Sequence, residues 1–179
     1  MCIRDRKGTN RSAFLRGDVD KYTWMDAGSS YVPSDLLAAL LEAQWLRRHE
    51  IRARRALSWT AYHAALEPFE RAGKLIRNVV PGYATSNHHT YFFTTERLVD
   101  RDRLLSAFHR AGISAAFHYV PLHNSPFGKS LHPTVRSLPL TEQLSSSQIR
   151  LPLYGRLVLD HPDVVDRVTD TLTQVLGAP

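Results

Sequence analysis

The chain has 179 residues, 43% of them hydrophobic and 22% charged, enough for one packed core and short for two. Every apolar run falls well below the roughly 20 residues that cross a bilayer, and MCIRDRKG at the N-terminus lacks the apolar centre of a secretory signal, so a soluble, cytoplasmic protein with no membrane partner is expected. The single cysteine, Cys2, excludes an internal disulfide framework and a zinc-finger pattern, while 19 arginines and 4 lysines against 17 acids give a formal charge of +6.

That charge favours anionic partners in general, a sugar nucleotide or a nucleic acid among them. The acids are interspersed with the bases, so an arginine-rich composition without functional meaning stays open beside both.

In chain order, residues 7–33 contain Gly8, Gly17, Gly28 and Pro33 with no sustained period and read as loop with a short strand at most. Ser34 and Asp35 then form an N-cap and first-turn pair, placing an acceptor and a negative charge where free backbone N–H groups need them. Leu37, Leu40, Leu41, Ala43, Gln44 and Ile51 follow at helical spacing, and the pattern runs on through Tyr62 and Leu66. One helix on the order of thirty residues is predicted, well above the globular mean, within a segment 34–72 that Pro68 ends or kinks and Gly73 closes. Arg47, Arg48, Arg52, Arg54 and Arg55 crowd one face of it opposite the apolar stripe. A solvated face and the footprint of a nucleic-acid module both fit that run, but no recognised nucleic-acid motif accompanies it and no nucleic-acid partner is expected.

From Lys74 the pattern changes. Residues 75–80, 89–95 and 113–119 read as strands, 100–111 as a helix closed by Gly112, 121–139 as a long loop, 141–147 as a short helix and 163–176 as an amphipathic terminal helix. A small sheet covered by helices follows, α+β in class, over residues 73–179. His118, His123 and His132 flank or fill the long loop and His88 and His89 precede it, yet their spacing matches no metal signature and no metal is expected.

Several motifs carry a resemblance. KGTNRS at Lys7 to Ser12, VDKYTW at Val19 to Trp24 and GSSY at Gly28 to Tyr31 occur in this order, followed by FHYVPLH at Phe117 to His123 and LPLY at Leu151 to Tyr154. The chain resembles the DegT/DnrJ/EryC1/StrS sugar-nucleotide aminotransferases, and within them the dTDP-4-amino-4,6-dideoxygalactose transaminases. The resemblance implies the small C-terminal domain and long connecting helix of a fold-type-I enzyme that uses pyridoxal 5'-phosphate. It implies amino transfer from glutamate to the C4 ketone of dTDP-4-dehydro-6-deoxyglucose in a homodimer. Transfer to another nucleotide-linked ketosugar, and a noncatalytic binding module, are the alternatives. Residues 1–6 fall outside the family pattern and are expected to be a non-native leader; 7–33 correspond to an active-site and dimer-interface loop.

The same resemblance places the lysine that forms an imine with the cofactor upstream of KGTNR, before a glycine-rich turn. None of Lys7, Lys21, Lys74 and Lys129 has those flanks, so no catalytic residue is expected in this chain, which corresponds to roughly the C-terminal half of an enzyme and is not expected to act alone. In related aminotransferases a G-x-N-x-R segment crosses the dimer interface and its asparagine touches the partner's cofactor phosphate. Here that segment is Gly28 to Val32: Ser30 takes the asparagine position, Val32 replaces the arginine, and Ser29 and Ser30 are the cofactor-binding candidates, against a plain serine-rich turn. Lys21, Tyr22 and Trp24 combine a cation with two large rings suited to a dimer interface or to a sugar-nucleotide cleft. Arg11 suits a phosphate and suits exposed solvent equally. HYVPLH resembles a family segment that ends a small-domain strand and faces the active-site cleft, making His118, Tyr119 and His123 candidates to contact sugar or diphosphate, or else packing for the strand end.

Overall fold

The computed structural model describes residues 16, 33–95, 98–118, 120–131 and 137–179. They fall in two compact units, 1–48 and 49–179.

In the first unit the helix α1 (Asp35–Leu46) begins where its cap predicts: the Ser34 hydroxyl accepts the Leu37 N–H at 3.4 Å and Asp35 occupies the first turn. No residue of α1 is buried, and Leu36, Leu37, Leu40, Leu41, Trp45 and Leu46 are all exposed. Arg47 closes the helix with its N–H on the Gln44 and Trp45 carbonyls, and the Arg48 guanidinium lies 4.8 Å from the centre of the Trp45 ring.

The helix α2 (Arg48–Ala65) starts at once, and α3 (Glu67–Arg71) follows after Leu66 with Pro68 in its first turn, where proline's missing N–H is harmless. The stretch read from sequence as one helix is thus three, with turns at Arg47 and Leu66. Periodicity reports which residues share a face and is blind to a one-residue turn that preserves it.

Four short strands form one antiparallel sheet in the order β1 (Ile76–Arg77), β2 (Tyr91–Thr94), β4 (Gln148–Leu151), β3 (Ala116–Phe117). Between β2 and β3 runs α4 (Leu98–Arg110), so the crossover skips the place that β4 later fills. The register aligns Arg77, Phe93, Ile149 and Phe117 in one row and Phe92, Arg150 and Ala116 in the next. Because strand side chains alternate, Tyr91, Phe93, Ile149 and Leu151 are buried on the helix side while Phe92 and Arg150 turn the other way. The core joins them to Tyr62 and Leu66 of α2, Leu104 and Phe108 of α4, and Val168 and Leu172 of the terminal helix α8 (Val164–Leu176).

Two glycines end helices in left-handed conformations as their positions foretell. Gly73 and Gly112 both have φ +70°, and a Cβ on Gly112 meets the Arg167 guanidinium at 2.9 Å. Arg167 in turn donates to the Ala111 carbonyl, joining α8 to the end of α4.

The remaining expectations need correction in extent. The strands read at 75–80 and 113–119 shrink to two residues each, and the 121–139 loop contains a 3-10 turn (Leu122–Asn124) and a helix α5 (Pro126–Leu131). Ser125 and Pro126 are the overlooked start signal: the Ser125 hydroxyl accepts the Gly128 N–H at 3.0 Å, and proline opens the first turn. The helix α6 (Pro139–Ser147) begins two residues before its predicted start, and a one-turn α7 (Leu157–Asp160) precedes α8. Strand β4, central to the sheet, is absent from the sequence reading because QIRL gives only two apolar residues, Ile149 and Leu151, to show a period of two.

Candidate functional site

The last residue of β3 leads into His118, and two cavities meet at that side chain. The larger, about 470 Å³, is lined by Arg101, Phe117, His118, Asn124, Glu142 and Gln143 among others, so α4, the turn after β3 and α6 all reach it. The smaller, about 300 Å³, lies over the outer face of the sheet and is lined by His89, Thr90, Ser114, His118 and Arg150 with neighbouring apolar groups. Sequence places His118 at a strand end, and the structure puts it where ligand-sized space opens on either side.

Arg101 is held before any ligand arrives. Its guanidinium lies over the Phe117 ring at 5.8 Å, donates to the Ser145 carbonyl at 3.2 Å and pairs with Asp102 at 2.9 Å. Such bracing fixes an arginine's fork so that less side-chain entropy is lost when it binds.

His123 has a different position. Its Nε2 lies 3.0 Å from Glu142 Oε1, which also accepts the Leu138 N–H at 3.1 Å, and it lines neither cavity described above. The His123 hydrogen bond, helped by the Leu138 N–H, holds the Glu142 carboxyl below its ordinary range. His123 therefore ties the turn after β3 to the first turn of α6, and its partner Glu142 lines the larger cavity.

A second polar cluster lies under α2. The Trp59 ring stacks on His63 at 4.6 Å and meets His88 and Tyr91 edge-on, each at 5.4 Å. Arg77 joins this cluster to α3, giving Nε to Glu70 at 2.7 Å, its backbone N–H to the same carboxylate at 2.8 Å and its Nη1 to the His63 carbonyl at 2.6 Å. Burial lowers the pKa of His63, and the Arg77 charge adds to it; burial and Arg52 do the same to His88. Burial alone would raise Glu70, but the Arg77 hydrogen bonds and charge outweigh it and hold the carboxyl below its usual value. Burial also pushes the phenols of Tyr62 and Tyr91 well up, so both stay protonated, and Tyr62 Oη donates to the Pro152 carbonyl at 3.2 Å.

Of the residues singled out from sequence, Arg11, Lys21, Tyr22, Trp24, Ser29, Ser30 and Tyr119 lie outside the described residues. His118 and His123 are described, the first in both cavities and the second against Glu142. Sequence reasoning overlooked Arg101 and Arg150, and weighed His89 only as a metal ligand. The available signal was a lone arginine inside the apolar run QIRLPL, where a charge on one face of a strand needs a reason. Among the described residues no three His, Cys, Asp or Glu side chains gather into a metal-binding group, and no helix is long and apolar enough to cross a membrane.

A pyridoxal cofactor needs an amine to carry it, and the described lysines do not fit that role. Lys74 Nζ donates to the Leu176 and Ala178 carbonyls at 2.9 and 2.5 Å, and Lys129 is exposed on α5 and lines neither cavity.

Residues 7–173 match the DegT/DnrJ/EryC1/StrS aminotransferase family. The fold is similar to that of DesV from S. venezuelae, solved with a ketimine intermediate, at TM-score 0.73 and 25% identity over 89% of this chain and 41% of that one. It is similar also to the aminotransferase TlmJ from Streptoalloteichus hindustanus, at TM-score 0.68 and 22% identity over 87% of this chain and 40% of that one. A third likeness is to a protein of Streptococcus pneumoniae described as a sugar aminotransferase and solved in its PLP form, at TM-score 0.68 and 22% identity over 88% and 39%. The chain thus spans about two-fifths of the length of these solved structures. It belongs to the DegT/DnrJ/EryC1/StrS aminotransferase family, and its α+β unit has the fold of the corresponding part of these enzymes.

Proposed function

From that membership we propose that this chain forms the small-domain side of a sugar-nucleotide aminotransferase dependent on pyridoxal 5'-phosphate. The amino group moves from glutamate to the C4 ketone of dTDP-4-dehydro-6-deoxyglucose, in a cytoplasmic homodimer that serves cell-surface polysaccharide synthesis such as lipopolysaccharide or enterobacterial common antigen. The observation that carries the reading is His118, at the end of β3 inside FHYVPLH, lining two cavities at once. KGTNRS, VDKYTW and GSSY support the particular sugar.

The described residues act on the substrate side. His118 contacts the sugar or diphosphate, as does Tyr119 beside it in sequence, while His123 ties the turn after β3 to α6 through its bond to Glu142. Ser30, with Ser29, gives hydroxyls to the cofactor phosphate across the dimer interface, and Arg11, Lys21, Tyr22 and Trp24 complete the nucleotide side of the cleft. With neither described lysine suited to the cofactor, the amine that carries it comes from elsewhere in the enzyme, and no step of the reaction is assigned to these residues.

The test is direct. An enzyme of full family length carrying this chain, supplied with glutamate and dTDP-4-dehydro-6-deoxyglucose, yields the 4-amino sugar nucleotide, seen as a mass increase of about 1 Da as the carbonyl oxygen is replaced by an amino group and a hydrogen. Turnover of a different nucleotide-linked ketosugar in place of this one rejects the substrate but keeps the chemistry; turnover of none rejects the reading.

A further inference from the structure

We propose that Arg150 anchors an oxyanion site on the outer face of the sheet, built for a phosphoryl or diphosphoryl group. Ser114, Ala116 and His118 fall two residues apart, as do Arg150 and Pro152, and Ala116 pairs with Arg150 in the register. Ala116 and Arg150 therefore share the face turned away from the core, and they line the cavity of about 300 Å³ together with Ser114, His118 and Pro152. Strand β4 lies between β2 and β3, which puts the guanidinium near the middle of that face. Ala116 is its neighbour on β3, and so small a side chain leaves room for a ligand there.

The donors are what point to an anion. Among the described residues, the cavity lining contains a guanidinium, two imidazoles and the hydroxyls of Thr90 and Ser114, and none of them is an acid. Among the described residues the Arg150 side chain has neither an acid nor a hydrogen-bond acceptor as partner, in contrast to Arg54, Arg71, Arg77, Arg101, Arg156 and Arg167, each of which is paired. Thr90 Oγ1 is buried without a partner, a second donor in the same wall whose hydrogen-bonding capacity is unused. His89 is oriented by Asn87, whose Oδ1 lies 2.5 Å from Nδ1, leaving its Nε2 edge unengaged by that contact. A planar guanidinium grips two phosphate oxygens at once, and the imidazoles and hydroxyls add more donors than a single carboxylate can accept.

The site stands on the cavity alone. The sugar-nucleotide reading only names where its phosphoryl group comes from, so the two can fail separately. The experiment titrates the 179-residue chain with inorganic pyrophosphate in about 150 mM salt, where diffuse surface charge is screened, and follows backbone amide shifts by NMR. Arg150→Gln, Arg150→Lys and, as a control on the exposed end of α4, Arg110→Gln are compared, with amide dispersion reporting that each variant is folded. We expect pyrophosphate to shift the amides of Ser114, Ala116 and Arg150. Arg150→Gln should weaken binding at least about tenfold, Arg150→Lys should weaken it less, and Arg110→Gln should leave it unchanged. Equal binding by Arg150→Gln and the parent, equal losses in Arg150→Gln and Arg110→Gln, absence of shifts at about 10 mM pyrophosphate, or tighter binding of glutamate than of pyrophosphate each overturns the site. Thymidine diphosphate and thymidine separate the source. If the diphosphate reproduces the pyrophosphate shifts and thymidine does not, the sugar-nucleotide reading gains support; pyrophosphate binding without thymidine diphosphate binding keeps the anion site and removes that source.

Discussion

Helices α1 and α8 have almost the same length, 12 and 13 residues, and opposite fates. Both carry apolar residues at helical spacing, yet α1 buries none of them while α8 buries Val164, Val168, Thr171 and Leu172 against β-strand and α4 residues of the same core. The comparison separates two kinds of information in a sequence. Cap chemistry and periodicity decide that a helix forms and which side chains share a face. What covers that face depends on segments far away in the chain, which periodicity does not report. For α1 the described residues of its own unit provide no cover.

Mutations sharpen this contrast most strongly. Leu172→Ala removes a fully buried side chain and should lower the stability of the 49–179 unit by about 2–5 kcal/mol, whereas Leu40→Ala, at a position 56% exposed, should change it by less than about 0.5 kcal/mol. Urea unfolding of the two variants measures both, and comparable losses would erase the distinction drawn between the helices.

Next in size is the joint between α4 and α8. Gly112→Ala forces a Cβ into a left-handed backbone and against the Arg167 guanidinium, and should cost on the order of 1–2 kcal/mol. Gly82→Ala, with φ outside that region and nothing within 4 Å of its Cβ, should cost little. A shift of the urea midpoint in the first variant and none in the second is the expected pair.

Acid titration gives a third effect. His63 and His88 are held below 6.5, so the fold favours their neutral forms; the stability this contributes is present above 6.5 and is lost as pH falls through their lowered folded values. Glu70 is held below 4.5, so its contribution is present above 4.5 and is lost as pH falls through its own lowered value. Urea midpoints should be flat above about pH 7, decline first below 6.5 and again below 4.5, with Glu70→Gln removing much of the second decline. A midpoint that rises on going from pH 7 to 5.5 would contradict the burial assigned to the histidines.

The smallest effect expected is on the surface of α2. Arg52→Gln changes an exposed charge and should leave the unfolding free energy from urea titration within about 0.5 kcal/mol of the parent.

Much of the α+β unit is legible before any coordinates, for local reasons. Gly73 and Gly112 mark helix ends because few other residues take φ near +70°, and Tyr91 to Thr94 declares a strand through β-favouring aromatic residues. Strand β4 escapes notice because four residues give periodicity too little to act on, although it is the strand that holds the sheet together between β2 and β3. The candidate site follows the same division. His118 is visible because a motif marks it; Arg101 and Arg150 are not, because they come from a helix and a strand that only the fold brings beside β3. His123 resembles His118 in sequence and differs in space, being paired with Glu142.

Whether the strand end at His118 faces the sugar nucleotide is tested by measuring the two half-reactions separately in an enzyme of full family length carrying His118→Ala. One active site serves both, and contacts to sugar or diphosphate help only one. The concentration of ketosugar nucleotide needed for half-maximal rate should rise about tenfold or more, while the rate and concentration dependence of the glutamate half-reaction should stay close to the parent. Equal losses in both half-reactions, or an unchanged requirement for the sugar nucleotide, would contradict that placement.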